Sequence, residues 1–171
     1  MMDLYRLIRD IPDFPQKGVI FKDITPLLKD AEAFRETIDR FIERLQEVDF
    51  DYIVVPEARG FIFGSAIAYE MRKGFIPVRK PGKLPYQTRK VEFTLEYGKA
   101  GLEIHEDALY PGAKVVLLDD VLATGGTIKA IAGLIEGMGG TVAKMLFLIE
   151  LTFLDARKVL ETYSVDSLMS Y

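Results

Sequence analysis

Two adjacent carboxylates and a short loop of small residues are the part of this chain best suited to chemistry. Asp119 and Asp120 follow four branched apolar residues at 115–118 and precede residues 123–127, which read Ala-Thr-Gly-Gly-Thr. Glycines expose successive backbone N–H groups, and a following helix adds the positive end of its dipole, so the loop suits a phosphate monoester. Carboxylates accept hydrogen bonds from vicinal sugar hydroxyls and lie near Mg²⁺ held by a diphosphate.

The elements that must position these residues predict an α/β fold. Residues 115–118 are typical of a strand buried on both faces, which we expect to stop at the two acids, and apolar residues from 128 to 138 recur at helical spacing. Residues 52–55, 56–60 and 61–72 repeat the order strand, loop and helix, with Arg59 in the loop. A parallel sheet brings the carboxyl ends of its strands to one edge, where ligands bind. We expect these polar residues to meet there: Arg59, Lys80, Lys83, Asp119 to Thr127 and Glu150.

The other segments carry weaker patterns. Residues 4–11 are predicted as a short amphipathic helix that Pro12 ends, and residues 13–26 as an irregular apolar segment. Asp30 is the predicted N-cap of the next helix. A strand over residues 141–149, a helix over about 154–162 and a tail complete the chain. Residues 81–101 contain three glycines and two prolines and are too long for an ordinary connection, which indicates a functional lid or a disordered stretch.

Composition limits the classes of function. A chain of 171 residues is expected to form one domain, with no apolar run long enough to span a membrane and no signal peptide, so we expect a cytoplasmic protein. The absence of cysteine excludes thiol nucleophiles and disulfides, and one histidine, His105, excludes a multi-histidine zinc site. A net charge of −4 argues against a nucleic-acid partner.

Residues 115–127 resemble the phosphoribosyl diphosphate (PRPP) signature of type I phosphoribosyltransferases. The resemblance extends from Phe14 and Pro15 to residues 150–152 and is closest to adenine phosphoribosyltransferases, whose flexible loop resembles residues 95–99. It implies the type I phosphoribosyltransferase fold, a parallel-sheet α/β fold with helices on both faces. It also implies one domain over residues 1–171, with a small N-terminal hood of about 1–30 and a flexible lid of about 81–101.

The resemblance further implies a reaction in purine salvage, in which PRPP and adenine give AMP and pyrophosphate. Mg²⁺ is the implied cofactor, held mainly by PRPP and water with no direct protein ligand. The implied catalytic residues are Glu96 as acid or base, Tyr97 as its lid partner and Arg59 on the pyrophosphate. The implied PRPP-binding residues are Asp119, Asp120, Ala123, Thr124, Gly125, Gly126, Thr127, Glu57, Ala58, Lys80, Lys83 and Arg79. The implied adenine contacts are backbone groups near Ile20 and Lys22, with Ala123 and Leu151 sandwiching the ring.

Two features of the family are expected here as well. A non-proline cis peptide is expected between Glu57 and Ala58. A homodimer is expected, with Arg79 approaching the neighbouring subunit's site.

Two alternatives stay open at this point. The base could be another purine, because the sequence contains no direct reporter of the 6-substituent. The chain could also be a non-catalytic PRPP-sensing regulator, although such a protein usually needs an added basic face or DNA-binding module.

Overall fold

The computed structural model describes the backbone of residues 2–95 and 98–171 and the side chains of residues 2–93 and 100–171. Its strands are β1 Arg9–Pro12, β2 Ile20–Asp23, β3 Tyr52–Pro56, β4 Gly74–Val78, β5 Thr88–Leu95, β6 Gly98–His105, β7 Lys114–Leu122, β8 Thr141–Glu150 and β9 Val165–Ser170. Its α-helices are α1 Thr25–Lys29, α2 Ala31–Leu45, α3 Gly60–Met71, α4 Gly126–Gly137 and α5 Ala156–Val159. Over these described ranges, no helix is both long and apolar enough to cross a bilayer. The chain divides into two compact units, Met1–Glu43 and Arg44–Tyr171.

The first unit begins with a 3-10 helix and a two-stranded sheet. The 3-10 helix Leu4–Leu7 is capped by Asp3, whose carboxylate accepts the N–H of Tyr5 at 3.2 Å. β1 then pairs antiparallel with β2. The predicted helix over residues 4–11 is therefore wrong beyond residue 7, because residues 9–12 satisfy their backbone in a sheet.

Side-chain contacts across this small sheet explain why the sequence pattern misled. Arg9 Nη2 lies 2.7 Å from Asp23 Oδ2, and Lys22 Nζ lies 2.7 Å from Asp10 Oδ1. These pairs join residues 12 to 14 positions apart, which local periodicity does not reveal. The segment predicted as irregular also contains β2 and the start of α1. The predicted N-cap of α2 is confirmed, since Asp30 Oδ1 accepts the N–H of Ala33 at 2.9 Å.

The second unit contains a five-stranded sheet with the order β4-β3-β7-β8-β9, in which every pair is parallel. β4 lies at an edge, which is where Pro77 can be accommodated in a strand. β9 forms the other edge and was expected only as a tail. The helix expected over about 154–162 is wrong in extent, because a 3-10 turn at Thr152–Leu154 precedes the four-residue α5.

Helices cover both faces of this sheet. Val54 belongs to a buried cluster with Ile128 and Ile131 of α4. A Cβ added at Gly64 of α3 would lie 2.5 Å from Val55 Cγ2, so α3 packs closely on Val55. Successive residues of a strand point to opposite faces, so α3 and α4 lie on opposite sides of the sheet. The predicted parallel α/β class is confirmed.

The described residues between 81 and 101 are more regular than predicted. β5 and β6 form an antiparallel hairpin from the pair Thr88↔His105 to the pair Leu95↔Gly98. Val91 and Phe93 pack against the buried cluster, to which Leu102 and Ile104 belong. The alternation of these apolar residues was the signal that could have predicted the hairpin, because a period of two is typical of strands.

Candidate active site

The two adjacent acids lie within β7, near its carboxyl end. β7 continues past them to Leu122, with Val121 opposite Ile149 and Leu122 opposite Glu150 of β8. The prediction that the strand stops at the acids is therefore wrong by two residues. Asp119 and Asp120, the acid pair, have their backbone fixed by a strand.

The loop after β7, residues 123–127, is called the signature loop. Gly125 has φ +83°, a conformation that favours glycine, and is the N-cap residue of α4. The N–H groups of the first helical turn have no carbonyl partner within the helix, so they are available to an anion. Residues 121–125, Thr127, Asp119 and Phe147 line a cavity of about 80 Å³. A cavity of this size suits one phosphate group and is too small for a whole nucleotide.

Arg59 links the neighbouring strand's loop to the acid pair. Its Nε lies 2.7 Å from Asp120 Oδ2, and Asp120 is 4% exposed. The buried Oδ2 has no hydrogen-bond partner among the described residues. Burial, followed by the negative charge of Asp120, raises the pKa of Asp119 well above its ordinary value. A carboxyl whose pKa is raised favours its protonated form, which can donate a hydrogen bond to a sugar hydroxyl as well as accept one.

Gly60 allows the two loops to approach closely. A Cβ at this position would lie 2.8 Å from Asp119 Oδ1 and 2.7 Å from Val55 Cγ1, so only glycine fits without movement. Gly60 is the first residue of α3, directly after Arg59. The N-terminus of α3 therefore lies beside the acid pair, as expected for loops of adjacent parallel strands.

Glu57 connects the loop after β3 to the loop after β4. The peptide bond between Glu57 and Ala58 is cis, as expected. Glu57 Oε1 accepts the N–H of Lys80 at 2.5 Å, and Oε2 accepts a hydrogen bond from Arg79 Nη2 at 3.2 Å. Burial would raise the pKa of Glu57, but the hydrogen bonds from Lys80 and Arg79 outweigh it and lower that pKa. Glu57 is therefore an ionised bridge between two loops.

The two lysines predicted to bind an anion lie in a tight turn, residues 80–84, called the lysine turn. Lys83 donates its N–H to the carbonyl of Lys80 at 3.3 Å, and Gly82 has φ +81°. Lys80 and Lys83 are both exposed. Their position after β4 puts two positive charges at the carboxyl edge of the sheet.

Leu151 is placed beside the signature loop. Its N–H donates to the carbonyl of Leu122 at 2.9 Å, one residue before Ala123. Leu151 and Ala123 are both half-buried. Glu150 is the last residue of β8, at this edge as expected, and it makes an ion pair with Arg157 at 2.7 Å.

The remaining predicted residues are Ile20, Lys22, Glu96 and Tyr97. Ile20 and Lys22 belong to the first unit, where Ile20 is exposed and Lys22 pairs with Asp10. Glu96 and Tyr97 lie outside the described residues.

Sequence reasoning gave no role to Glu103, which is 1% exposed. Its carboxylate accepts the N–H groups of Gly82 and Leu84 in the lysine turn. The available signal was a charged residue between two apolar residues, Leu102 and Ile104, in a segment with strand periodicity. Its partners lie 19 and 21 residues away, so the sequence pattern did not identify them.

Comparison with known proteins agrees with this arrangement. Residues 27–163 match the family described as phosphoribosyl transferase domain. The chain is 59% identical to the adenine phosphoribosyltransferase of Pseudothermotoga lettingae, covering 99% of this chain and 100% of that protein. It is 60% identical to the adenine phosphoribosyltransferase of Thermosipho africanus, covering 98% and 99% of the two chains.

Comparison with solved structures also finds adenine phosphoribosyltransferases. The adenine phosphoribosyltransferase of Thermoanaerobacter pseudethanolicus is similar with a TM-score of 0.96 and 55% identity, over 98% of both chains. The Saccharomyces cerevisiae adenine phosphoribosyltransferase, complexed with an imino-altritol bisphosphate and adenine, has a TM-score of 0.91 and 37% identity over 96% of both chains. The chain therefore belongs to the phosphoribosyltransferase family and, within it, to the adenine phosphoribosyltransferases, which are pentosyltransferases.

Proposed function

We propose that this chain transfers the 5-phosphoribosyl group of PRPP to adenine, giving AMP and pyrophosphate, with PRPP lying along the carboxyl edge of the sheet. The observation that carries the proposal is the 2.7 Å contact between Arg59 and Asp120, which joins the loop after β3 to the acid pair in the adjacent strand β7. A molecule with a phosphate at one end and a diphosphate at the other matches an anion-binding loop and a cationic turn at one sheet edge. The similarity to adenine phosphoribosyltransferases supports adenine as the base.

The signature loop is assigned to the 5′-phosphate of PRPP. Backbone N–H groups at the start of α4 and the hydroxyls of Thr124 and Thr127 donate to its oxygens, aided by the helix dipole. Asp119 and Asp120 face the ribose hydroxyls, which donate to carboxylate oxygens. The assignment rests on the order of these residues in the loop and on the small cavity that they line.

The loop after β3 and the lysine turn are assigned to the pyrophosphate. Arg59, with its planar fork of donors, and Lys83 bind the diphosphate oxygens, while Glu57 holds Arg79 and Lys80 in place. The exposed side chains of Lys80 and Lys83 support this role, because a cation used by a ligand must be reachable.

The described residues fit a magnesium ion that arrives with PRPP. Among them, no group of three or more His, Asp or Glu side chains could enclose a metal. Mg²⁺ keeps several waters and binds readily to substrate phosphates, so PRPP and water would hold it, with Asp119 and Asp120 nearby. When bound, the ion neutralises charge on the diphosphate leaving group.

The chain's own residues must stabilise separated charge during the reaction. Breaking the bond between C1′ and the diphosphate oxygen leaves a sugar with oxocarbenium character and an anionic leaving group. Arg59 and Lys83 stabilise the leaving group, and Glu96 handles the proton near adenine N7, with Tyr97 beside it. Closure of the lid, residues 81–101, excludes water that would hydrolyse PRPP.

The base is proposed to bind against Ala123 and Leu151, with backbone groups near Ile20 and Lys22 reading its edge. The neighbouring positions of Leu151 and the signature loop support the first part. The resemblance alone supports the second part. It also supports one functional domain with a hood at about residues 1–30, and a homodimer in which Arg79 approaches the partner's site. A cytoplasmic location is consistent with a cysteine-free chain.

The test is formation of AMP from adenine, PRPP and Mg²⁺, measured against hypoxanthine, guanine and xanthine in parallel. We expect turnover with adenine well above that with the other bases. Preference for another base would replace the assigned substrate. Binding of PRPP without turnover on any base would instead support a PRPP-sensing regulator.

A further inference from the structure

The buried carboxylate of Glu103, in β6, accepts hydrogen bonds from the backbone of the lysine turn. Glu103 Oε1 accepts the N–H of Gly82 at 2.9 Å and the N–H of Leu84 at 3.2 Å, so one oxygen contacts both sides of Lys83. Glu103 Oε2 accepts the hydroxyl of Thr88 at 3.2 Å and lies 3.5 Å from Lys90 Nζ. Four donors thus surround one ionised side chain.

The backbone of Glu103 is fixed as firmly as its side chain. Its N–H donates to the carbonyl of Arg79 at 2.7 Å, and its carbonyl accepts the N–H of Arg79 at 2.9 Å. The neighbouring Gly101 lets the strand approach the turn, since a Cβ there would lie 3.0 Å from Pro81 Cγ. β6 therefore contacts the segment from Arg79 to Leu84 through both backbone and side chain.

A carboxylate buried this deeply needs a reason to remain charged. Burial acts to raise the pKa of Glu103, but the hydrogen bonds from Leu84, Thr88 and Gly82 outweigh it and lower that pKa. An apolar residue could fill the same space without the desolvation cost of a charge. What an apolar residue could not do is fix the two backbone N–H groups that flank Lys83.

We propose that Glu103 is a positioning residue for the transferase reaction, which holds the backbone around Lys83 so that this lysine is presented to the pyrophosphate of PRPP. The inference rests on the function proposed above. Glu96, the proposed acid or base, follows β5 in the sequence, and β5 pairs with the strand that contains Glu103. A fixed turn lowers the ordering cost of binding a mobile lysine to an anion.

The test compares three substitutions of Glu103, which separate the effects of side-chain length, negative charge and hydrogen-bond acceptors. Glu103→Leu removes both acceptor oxygens and leaves two backbone N–H groups without a partner. Glu103→Asp keeps the charge but withdraws the oxygens by one methylene. Glu103→Gln keeps an acceptor oxygen at the original reach. Glu106→Gln is the control, because Glu106 is an exposed glutamate three residues away on the same segment.

The expected result is a split between the two substrates. In Glu103→Leu the KM for PRPP rises about tenfold, the effect of losing one charge-assisted hydrogen bond, while the KM for adenine stays within about twofold. Glu103→Asp shows a smaller rise, and Glu103→Gln and Glu106→Gln stay near the unmodified chain. A purely structural role would lower the active fraction and the Tm and leave both KM values unchanged.

Two further measurements make the outcome decisive. In a Lys83→Ala background, Glu103→Leu should add little to the KM for PRPP, since both changes act through the same lysine. Amide hydrogen exchange at Gly82 and Leu84 should be faster in Glu103→Leu than in the unmodified chain, and this reading does not depend on catalysis.

An unchanged KM for PRPP in folded Glu103→Leu, or full additivity with Lys83→Ala, would overturn the inference. If Glu103→Leu does not fold, Glu103→Asp decides, with an unchanged KM for PRPP counting against the inference. Absence of AMP formation by the unmodified chain would instead overturn the proposed function, while the exchange measurement would still report on the turn.

Discussion

The two ends of the candidate site are built in different ways. The signature loop and the acid pair are contiguous in sequence, and one strand, one turn and one helix position them. The cationic end is assembled from the loop after β3, the lysine turn and Glu103 of β6, which are joined by side-chain contacts to backbone N–H groups. The signature loop therefore depends on local backbone geometry. The cationic end depends on the carboxylates of Glu57 and Glu103, which hold segments that are distant in sequence.

The largest expected effect comes from a residue that belongs to neither end. Glu96→Gln should lower turnover with adenine about a hundredfold, the usual minimum for losing a general acid or base, while PRPP affinity stays the same. Steady-state kinetics and PRPP binding measure the two quantities separately. Glu92→Gln, which changes an exposed residue of β5, is the matched control. Unchanged turnover in Glu96→Gln would remove it from the chemistry.

The next effect tests the contact that joins the two ends. Asp120→Asn should weaken PRPP binding about tenfold, because Arg59 loses its counter-ion and the ribose hydroxyls lose a charged acceptor. Asp49→Asn, which alters an exposed ion pair with Lys114, should leave PRPP binding unchanged. Titration calorimetry with PRPP and Mg²⁺ checks both. Normal affinity in Asp120→Asn would exclude Asp120 from the site.

A third change tests how far the signature loop depends on local geometry. Gly125→Ala should lower the free energy of unfolding by about 1 to 2 kcal/mol, because alanine is strained at positive φ. The added Cβ would also lie 3.3 Å from Ala156 Cβ. Gly133→Ala in the middle of α4, where a Cβ has open space, should instead raise the free energy of unfolding by about 1 kcal/mol. Urea unfolding measures both. Equal effects of the two substitutions would contradict a special conformation at Gly125.

The smallest effect is a difference in pH dependence between the two ends. The pKa of Glu103 is lowered, so its contribution to stability is present above the ordinary value of 4.5 and is lost as pH falls through its folded pKa. The pKa of Asp119 is raised, so its contribution is present below the ordinary value of 3.8 and is lost as pH rises through its folded pKa.

Unfolding free energies measured from acid to neutral pH should therefore change in opposite senses in two variants. The free energy of unfolding of Glu103→Gln should fall furthest below that of the unmodified chain at neutral pH. For Asp119→Asn, the free energy of unfolding relative to the unmodified chain should be highest at neutral pH. Each slope is bounded by about 1.4 kcal/mol per pH unit. Parallel pH profiles for the two variants would show that the ends do not differ in this way.

The same contrast explains what the sequence could predict. The strand, acid pair, glycine turn and helix were predictable because each step is encoded by neighbouring residues. The strand β9 was missed because the segment Val165–Ser170 mixes polar and apolar residues and lies at a sheet edge. The start of the chain was predicted as helix because the pairing of Arg9 with Asp23 is a tertiary contact. Glu103 was missed as a site residue for the same reason.

The most direct test of the account is the separate binding of the two halves of PRPP, ribose 5-phosphate and magnesium pyrophosphate, measured by calorimetry in two variants. Thr127→Val should weaken binding of ribose 5-phosphate and leave pyrophosphate binding unchanged. Lys83→Ala should weaken binding of pyrophosphate and leave ribose 5-phosphate binding unchanged. The reverse pattern, or equal losses for both ligands in both variants, would contradict a donor bound with its monoester at the signature loop and its diphosphate at the lysine turn.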